Sequence, residues 1–253
     1  MKSLIRIESK STDCILFHKV IFPIVKIESL VQKRGGILGA ILEQKQSASR
    51  IFSILADLYK FPESDIWVDF SCHQLLDELR RYASEWYESN SLVEITDLPT
   101  GLKQMQQIYA ESLGGPALPV ESVYKEWTAD RTCNLPFARS KGYLLGDSAL
   151  HIRFILEEFE IEIPGNYRNT PDHLAILLEL LAFFLLHAKS ELIKQFLEDH
   201  FDWLDEFALR LEELGGTQFY LQVTRFLQQM LKRLTSIYGI EHNIFTIRNP
   251  VKN

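Results

Sequence analysis

Apolar residues recur at every third or fourth position through most of the chain from Ser49 onward, which is the spacing of one face of an α-helix. The first run is expected to stop at Pro62, because proline removes a backbone hydrogen bond from a helix. Strand-like alternation is rare in the same region. The pattern therefore predicts an all-α fold, a single globular bundle of about seven to nine helices. After the first run, helices are predicted over residues 72–88, 99–113, 122–128, 147–159, 191–214 and 217–238.

One further helix is predicted to lie at the centre of the bundle. Residues 174–188 are almost uniformly apolar, and such a helix has no polar face to turn towards solvent. Thr170 suits the N-cap position before it, and Pro171 suits the first helical position, where no N–H is needed. Asp172 and His173 then lie at the mouth of this helix. By itself this sequence is an ordinary helix cap, so a structural role is the first explanation for it.

The centre of the chain, residues 114–147, is predicted to be irregular. A Gly-Gly-Pro sequence at residues 114–116 ends the preceding helix, since two glycines and a proline cannot continue one. Further prolines follow at positions 119 and 136. This loop region is also a candidate hinge through which two copies of the chain would exchange helices.

Residues 1–43 differ from the rest of the chain. They are rich in Ile and Val, they are interrupted by Gly35-Gly36, and they contain no obvious signal peptide. Two short strands, a flexible tail and an extension from an upstream start codon all remain open for this segment. The chain is therefore divided into an N-terminal extension of unknown structure, residues 1–43, and an all-helical domain, residues 44–253.

Composition and charge narrow the range of partners. Apolar residues make up 46% of the 253 residues and charged residues 24%, which is ordinary for a soluble globular protein. The net charge of −7 argues against nucleic acid, because phosphate binding needs a basic patch. No stretch reaches the ~18 apolar residues of a membrane span, so no stable membrane insertion is expected. Residues 1–43 hold seven basic and four acidic residues, a net +3, which leaves −10 on an acidic body that attracts arginine-bearing ligands.

Residues with evident catalytic chemistry are sparse. Cys14, Cys72 and Cys133 form no CxxC pair, which indicates neither a disulfide framework nor a zinc site and fits a reducing cytoplasm. Asp172 and His173 are adjacent, whereas metal ligands on one helical face lie three or four residues apart. No P-loop, Rossmann glycine pattern or nucleophile elbow is present. We therefore expect a cytoplasmic protein that is not an enzyme and has no metal and no cofactor.

Three ordered sequence blocks carry a family resemblance. They are Leu-Gly-Gly-Pro-Ala-Leu-Pro-Val-Glu-Ser-Val-Tyr at residues 113–124, Leu-Gly-Asp-Ser-Ala-Leu-His-Ile-Arg-Phe at 145–154, and Thr-Pro-Asp-His at 170–173. Together they resemble the cytoplasmic redox-enzyme maturation chaperones. That is the family of the dimethyl sulfoxide and trimethylamine N-oxide reductase chaperones, with the nitrate reductase assembly chaperones as relatives. The resemblance covers roughly residues 49–238.

The resemblance implies a function and a set of binding residues. It implies a chaperone that binds the twin-arginine signal peptide of a molybdenum-cofactor oxidoreductase and delays export until the cofactor has been inserted. The implied partners are this leader peptide and the apo form of a molybdopterin oxidoreductase, and no reaction is catalysed. The positions carried over by the family motif are Leu113, Pro119, Ser122, Tyr124, Gly146, Pro171, Asp172 and His173.

Neighbouring residues extend this set on chemical grounds. Carboxylates suit arginine because its planar guanidinium binds them bidentately, and Glu121 and Glu126 lie close in sequence to the motif. Pro116 and Leu118 add a stiff apolar wall, and Trp127 adds an aromatic surface with a polar handle. Each of these residues also has an ordinary explanation in core packing, helix capping or a solvated charge.

Two departures from the family motif bear on the identity of the client. Asn169 stands where the motif usually has a glutamate, and Val120 stands where relatives often have an aromatic residue. Two other functions remain open: a helical adaptor that binds a folded partner, and, less favoured, a metal- or nucleotide-dependent enzyme. The oligomeric state also remains open between a monomer and a helix-swapped homodimer.

Overall fold

The computed structural model describes residues 37–63, 73–85, 92–216 and 218–239. Within these ranges it contains nine α-helices and no β-strand, which confirms the predicted all-α, multi-helix fold. The helices are α1 (Ile37–Tyr59), α2 (His73–Ala83), α3 (Leu102–Ser112), α4 (Glu121–Tyr124), α5 (Asp147–Glu158), α6 (Leu174–His187), α7 (Ser190–His200), α8 (Leu204–Leu214) and α9 (Phe219–Ile237), with a 3-10 turn at Gly165–Tyr167.

Helix α6 lies at the centre of the bundle and packs most extensively against α1. Residues 174–182 are all buried, as expected from their nearly continuous apolar sequence. Ser49 Oγ on α1 donates a hydrogen bond to the carbonyl oxygen of Ala182 over 2.9 Å. The buried carboxylate of Glu179 is paired with Lys60 Nζ at 2.7 Å, because a charge inside an apolar core requires a partner.

The ends of the first two helices differ from the sequence prediction. Helix α1 ends before Pro62, as predicted, but it begins at Ile37 and so takes in the end of the predicted N-terminal extension. Residues 1–36 lie outside the described residues. Helix α2 ends at Ala83, and the end of the predicted second helix, residues 86–88, also lies outside the described ranges.

The prediction of one long helix over residues 191–214 is wrong. Residues 201–203 interrupt it and separate α7 from α8. The indole Nε1 of Trp203 donates a hydrogen bond to the carbonyl oxygen of His200 over 2.9 Å, and Phe201 is buried beside it. The interruption has neither glycine nor proline, so burial of two aromatic side chains, rather than a helix breaker, accounts for the corner.

The predicted start of the central helix is wrong as well. Helix α6 begins at Leu174, and its N-cap is His173, whose Nδ1 accepts a hydrogen bond from an amide in the first turn. Thr170 therefore lies in the preceding turn. The cause is an isolated antiparallel bridge between His173 and Val120, which holds the histidine backbone in an extended conformation. The backbone N–H of Leu174 adds a hydrogen bond to the carbonyl oxygen of Pro119 over 2.8 Å.

The central segment, residues 114–147, is irregular, as predicted, but the helix predicted over residues 122–128 is shorter, since α4 ends at Tyr124. The segment nevertheless has a defined path, because backbone hydrogen bonds fold it back on itself. The amide donors and carbonyl acceptors are Trp127 to Ser140, Thr128 to Ala138 and Gly142 to Val123, at 3.1, 3.0 and 2.8 Å. The hinge proposed for this segment stays a prediction.

Candidate functional site

A pocket of about 900 Å³ opens between α4, the N-terminal end of α5 and the corner between α7 and α8. Seven carboxylates line it against two lysines, Lys125 and Lys141. We therefore call it the acidic pocket. Its carboxylates are Glu121, Glu126, Asp147, Asp199, Asp202, Asp205 and Glu206.

The innermost carboxylate of the pocket belongs to Glu121, which is fully buried. One oxygen lies 2.8 Å from Lys125 Nζ, and the other is hydrogen-bonded to His200 Nδ1 at 2.8 Å. The second ring nitrogen of His200 lies 3.0 Å from Nδ1 of His151, an exposed side chain of the pocket lining. Burial, and then repulsion by His200, hold the pKa of His151 below its usual value. A continuous chain of polar contacts thus connects the buried carboxylate to the pocket surface.

One wall of the pocket is aromatic. The ring of Tyr124 stacks on Trp203 with a centroid separation of 5.1 Å and an angle of 18° between the ring planes. Phe207 meets the same tyrosine edge-on at 5.8 Å. Burial raises the pKa of Tyr124 above its ordinary value, so its hydroxyl stays protonated at neutral pH. Tyr124 and Trp203 are only 6% and 3% exposed, so this aromatic cluster forms a rigid base for the pocket and exposes little apolar area to it.

Asp172 lies outside the pocket lining and is hydrogen-bonded to the first turn of α4. Its side chain is fully buried, and its Oδ2 accepts a hydrogen bond from the backbone N–H of Ser122 over 2.7 Å. Its backbone carbonyl oxygen accepts a second one from the N–H of Glu121 over 3.1 Å. Burial raises the pKa of Asp172, and the hydrogen bonds from Ser122 oppose that shift. Asp172 therefore holds the first turn of α4, which carries Glu121 and Tyr124 into the pocket.

His173 serves the packing of the central helix. Only 6% of its surface is exposed, and its ring lies against Tyr167 with centroids 4.9 Å apart. Burial lowers the pKa of His173 to about 3, so the ring is neutral at physiological pH. A neutral ring is also what the cap of α6 requires, because its Nδ1 must accept a hydrogen bond.

The Gly146-Asp147 turn, at the start of α5, is hydrogen-bonded to residues 127–129, which follow α4. A Cβ on Gly146 would lie 2.5 Å from the carbonyl oxygen of Trp127, so the requirement for glycine here is one of space. The N–H of Asp147 donates to that same carbonyl oxygen over 2.9 Å. Its Oδ2 accepts hydrogen bonds from Thr128 Oγ1 and from the N–H of Ala129, at 2.9 and 2.8 Å. The second sequence block thereby fixes the segment that follows α4.

The structure brings most of the candidate residues near α4, but among them only Glu121, Tyr124 and Glu126 line the pocket. Ser122, Asp172 and the Gly146–Trp127 contact support elements that line it. Pro116 is exposed, and its carbonyl oxygen accepts a hydrogen bond from Arg210 Nε over 3.1 Å. The members that are buried outside the pocket lining are Leu113, Pro119, Ser122, Gly146, Pro171, Asp172 and His173.

The sequence analysis missed the carboxylates of the corner between α7 and α8. They are spaced at three- and four-residue intervals, which places them on one side of a helix. That spacing was a usable signal. It pointed to an acidic surface, but not to the pocket that faces it, because the corner itself was not predicted. The residues concerned are Asp199, Asp202, Asp205 and Glu206.

Two kinds of site are absent from the part of the chain that the structure describes. None of the helices in those ranges has the length and hydropathy to cross a membrane. The same residues contain no cluster of three or more His, Cys, Asp or Glu side chains suited to a metal ion.

Comparison with known proteins agrees with the sequence blocks. The family model described as nitrate reductase delta subunit matches residues 72–209, a range that contains all three blocks and the whole pocket lining. The chain is 25% identical over 191 residues to the probable Tat proofreading chaperone DmsD of Haemophilus influenzae, with 74% of this chain and 80% of the relative covered. No solved structure matches significantly. The resemblance to redox-enzyme maturation chaperones is confirmed, and the chain belongs to the nitrate reductase delta subunit family.

Proposed function

We propose that the chain is a cytoplasmic maturation chaperone that binds the twin-arginine leader of a redox enzyme in the acidic pocket. The observation that carries the proposal is the gathering of seven carboxylates around one pocket with an aromatic wall. The relative named a Tat proofreading chaperone supports the same role. The client we propose is the apo form of a molybdopterin oxidoreductase, held until its cofactor has been inserted.

The pocket suits arginine in two respects. A carboxylate binds the planar guanidinium through two parallel hydrogen bonds, which a neutral oxygen does less strongly. The apolar stem of an arginine side chain packs against apolar side chains, and Leu209, which is 45% exposed, lines the pocket beside the small exposed parts of Tyr124 and Trp203. Two adjacent arginines therefore have both charge partners and a surface for their stems.

Two exposed carboxylates of the pocket, Asp202 and Glu206, are accessible to an incoming cation. Asp202 and Glu206 are 54% and 51% exposed, and each is paired with a lysine of the pocket, at 2.7 and 2.5 Å. The Lys141–Glu206 pair is exposed on both sides, and such pairs contribute only about 0–1 kcal/mol, so an incoming guanidinium replaces Lys141 at little cost. Lys125 keeps its contact with Glu121 when Asp202 binds another cation. The chemistry required is binding alone, and no bond in the leader is made or broken.

Calorimetric titration with a synthetic twin-arginine leader tests the proposal. We expect the Asp202→Asn/Glu206→Gln double variant to bind the leader about tenfold more weakly, because two exposed charge partners are lost. The matched control is Glu212→Gln/Glu213→Gln. It removes two exposed carboxylates from outside the pocket lining, each of which is also ion-paired with an arginine.

The control separates a specific site from a general effect of charge. Both double variants change the net charge equally, so the control is expected to bind within about twofold of the wild-type chain. Equal weakening of the two variants would mean that the pocket has no special role. A leader in which both arginines are replaced by glutamine is expected not to bind, and absence of binding by the unaltered leader would contradict the proposed function.

A further inference from the structure

We infer that the chain's own N-terminal segment, residues 1–36, docks in the acidic pocket when no leader is present and competes with the leader for it. We call this segment the basic arm. The inference rests on the proposed function of the pocket and concerns its regulation. It makes the basic arm an internal substitute for the leader.

Charge complementarity is the first support. The basic arm holds seven Lys and Arg residues against three acidic residues, a net +4, which leaves −11 on the rest of the chain. The pocket gathers seven of the carboxylates of that remainder in one concave surface with only two lysines. Opposite charges concentrated on two parts of one molecule attract each other most strongly where the field is focused, in a concavity.

The order of residues in the basic arm is the second support. Lys19 precedes an apolar run, Val20-Ile21-Phe22, and Lys26 follows a second one, Ile24-Val25. A cation followed by an apolar stretch is also the chemical order of a signal peptide. The basic arm therefore presents to the pocket the two chemical elements that we propose are recognised in a leader.

The surface beside the pocket is suited to such an apolar run. Helix α5 contributes Ser148 and His151 to the pocket lining. On the adjoining side of the same helix, Leu150 and Phe154 are 53% and 57% exposed and lie one turn apart. Two large apolar side chains exposed together at the edge of a charged pocket are typical of a docking surface.

The covalent connection makes even a weak contact effective. The described bundle begins at Ile37, where α1 starts, so the basic arm is attached directly to it. Lys19 lies 18 residues before that point, a reach of roughly 60 Å at ~3.3 Å per residue. A folded chain of 253 residues has a radius of gyration of about 18 Å. The covalent reach of the arm therefore exceeds the radius of the bundle about threefold. Attachment of this kind gives an effective concentration on the order of millimolar.

Leader titration of full-length charge variants tests the inference. The arm variant is Arg6→Gln/Lys19→Gln/Lys26→Gln. We expect it to bind the leader at least about threefold more tightly than the wild-type chain, because the tethered competitor is weakened. The control variant, Arg233→Gln/Lys103→Gln/Lys232→Gln, removes one arginine and two lysines from exposed positions of α3 and α9, outside the pocket lining.

The control gives the effect of net charge alone, since both variants lose three positive charges. Tighter leader binding by the arm variant, but not by the control variant, supports the inference. Equal affinity of the two variants overturns it and leaves the proposed function intact. Absence of leader binding in every variant contradicts the proposed function instead.

A second titration tests the docking of the arm without any leader. A synthetic peptide of residues 15–27 is added to the full-length arm variant, whose own arm no longer competes strongly. We expect measurable binding that weakens at least threefold when Asp202→Asn/Glu206→Gln is introduced into the same chain. Absence of binding, or binding that these two substitutions leave unchanged, overturns the inference whatever the leader does.

Discussion

The α1–α6 pair and the region around α4 are held together by different interactions. In the pair, two long helices bury apolar side chains, and one buried ion pair joins Lys60 to Glu179. Around α4, a helix of four residues depends on single polar contacts from distant parts of the chain. A helix this short does not hold its own shape, so its position comes entirely from those contacts. The first region decides whether the chain is folded, and the second decides whether the pocket has the right geometry.

Asp172 of the Thr-Pro-Asp-His block affects the pocket without being exposed to it. Asp172 is fully buried, and its carboxylate holds the amide of Ser122 at the start of α4. Its influence on the pocket therefore passes through Glu121 and Tyr124, which α4 carries. The proposed contribution of Asp172 to leader binding is that of a positioning residue.

The largest effect is expected from the core. Leu177 is fully buried in α6, and Leu177→Ala is expected to lower the free energy of unfolding by about 2–5 kcal/mol, since it leaves a cavity. Urea denaturation measures this loss. The control is Leu192→Ala, at a position 38% exposed on α7, with an expected loss below about 1 kcal/mol. Leader affinity of the folded Leu177→Ala protein should stay within about twofold of wild type, and a larger loss would show that the core and the pocket are not independent.

An intermediate effect is expected at the support of α4. Asp172→Ala leaves the buried amide of Ser122 without its acceptor and should cost about 1–3 kcal/mol, together with weaker leader binding. Asp172→Asn keeps an oxygen in place and should restore much of both, although the negative charge is gone. Urea denaturation and leader titration of the two variants check this. If asparagine lost as much leader affinity as alanine, the carboxylate would act on arginine directly.

The smallest effect is expected from the pH dependence of stability. The pKa of His173 is about 3 in the folded chain and ~6.5 when unfolded, so between these values the unfolded chain binds more protons. Stability from this residue is complete above pH 6.5 and is lost as the pH falls, by about 1–2 kcal/mol at pH 5. The raised pKa of Asp172 acts in the opposite direction.

A comparison with His173→Asn isolates this contribution, because asparagine keeps a cap acceptor but does not titrate. Urea midpoints of both proteins at pH 7 and pH 5 give the difference in slope. The wild-type chain should lose more stability than the variant over this interval. Parallel slopes would mean that the imidazole is not excluded from water as its burial indicates.

Helices were predictable wherever local spacing decides them. Helix α5 was expected over residues 147–159 and occupies Asp147–Glu158, because a good first-turn residue and a regular apolar stripe agree there. The start of α6 was mispredicted because the bridge between Val120 and His173 joins residues far apart in sequence. Local capping chemistry carries no information about such a partner.

The pocket could be predicted only in part, for the same reason. The acidic character of the body follows from the charge count, and Tyr124 was singled out as a site residue. The corner that brings Asp202 and Glu206 to the pocket results from burial of Phe201 and Trp203, which no helix breaker announces. The burial of Asp172 could not be predicted from sequence either, since its partner Ser122 lies in another block.

The contacts of α4 also set a condition on the synthesis of the protein itself. Glu121 is held by His200, and Lys125 by Asp202, so α4 leaves the ribosome before its partners, which are translated some 80 residues later. Until those residues have emerged, the nascent chain has no completed binding surface to offer. A newly made copy therefore completes its pocket only after residues 199–206 have been translated, even if its client is already present.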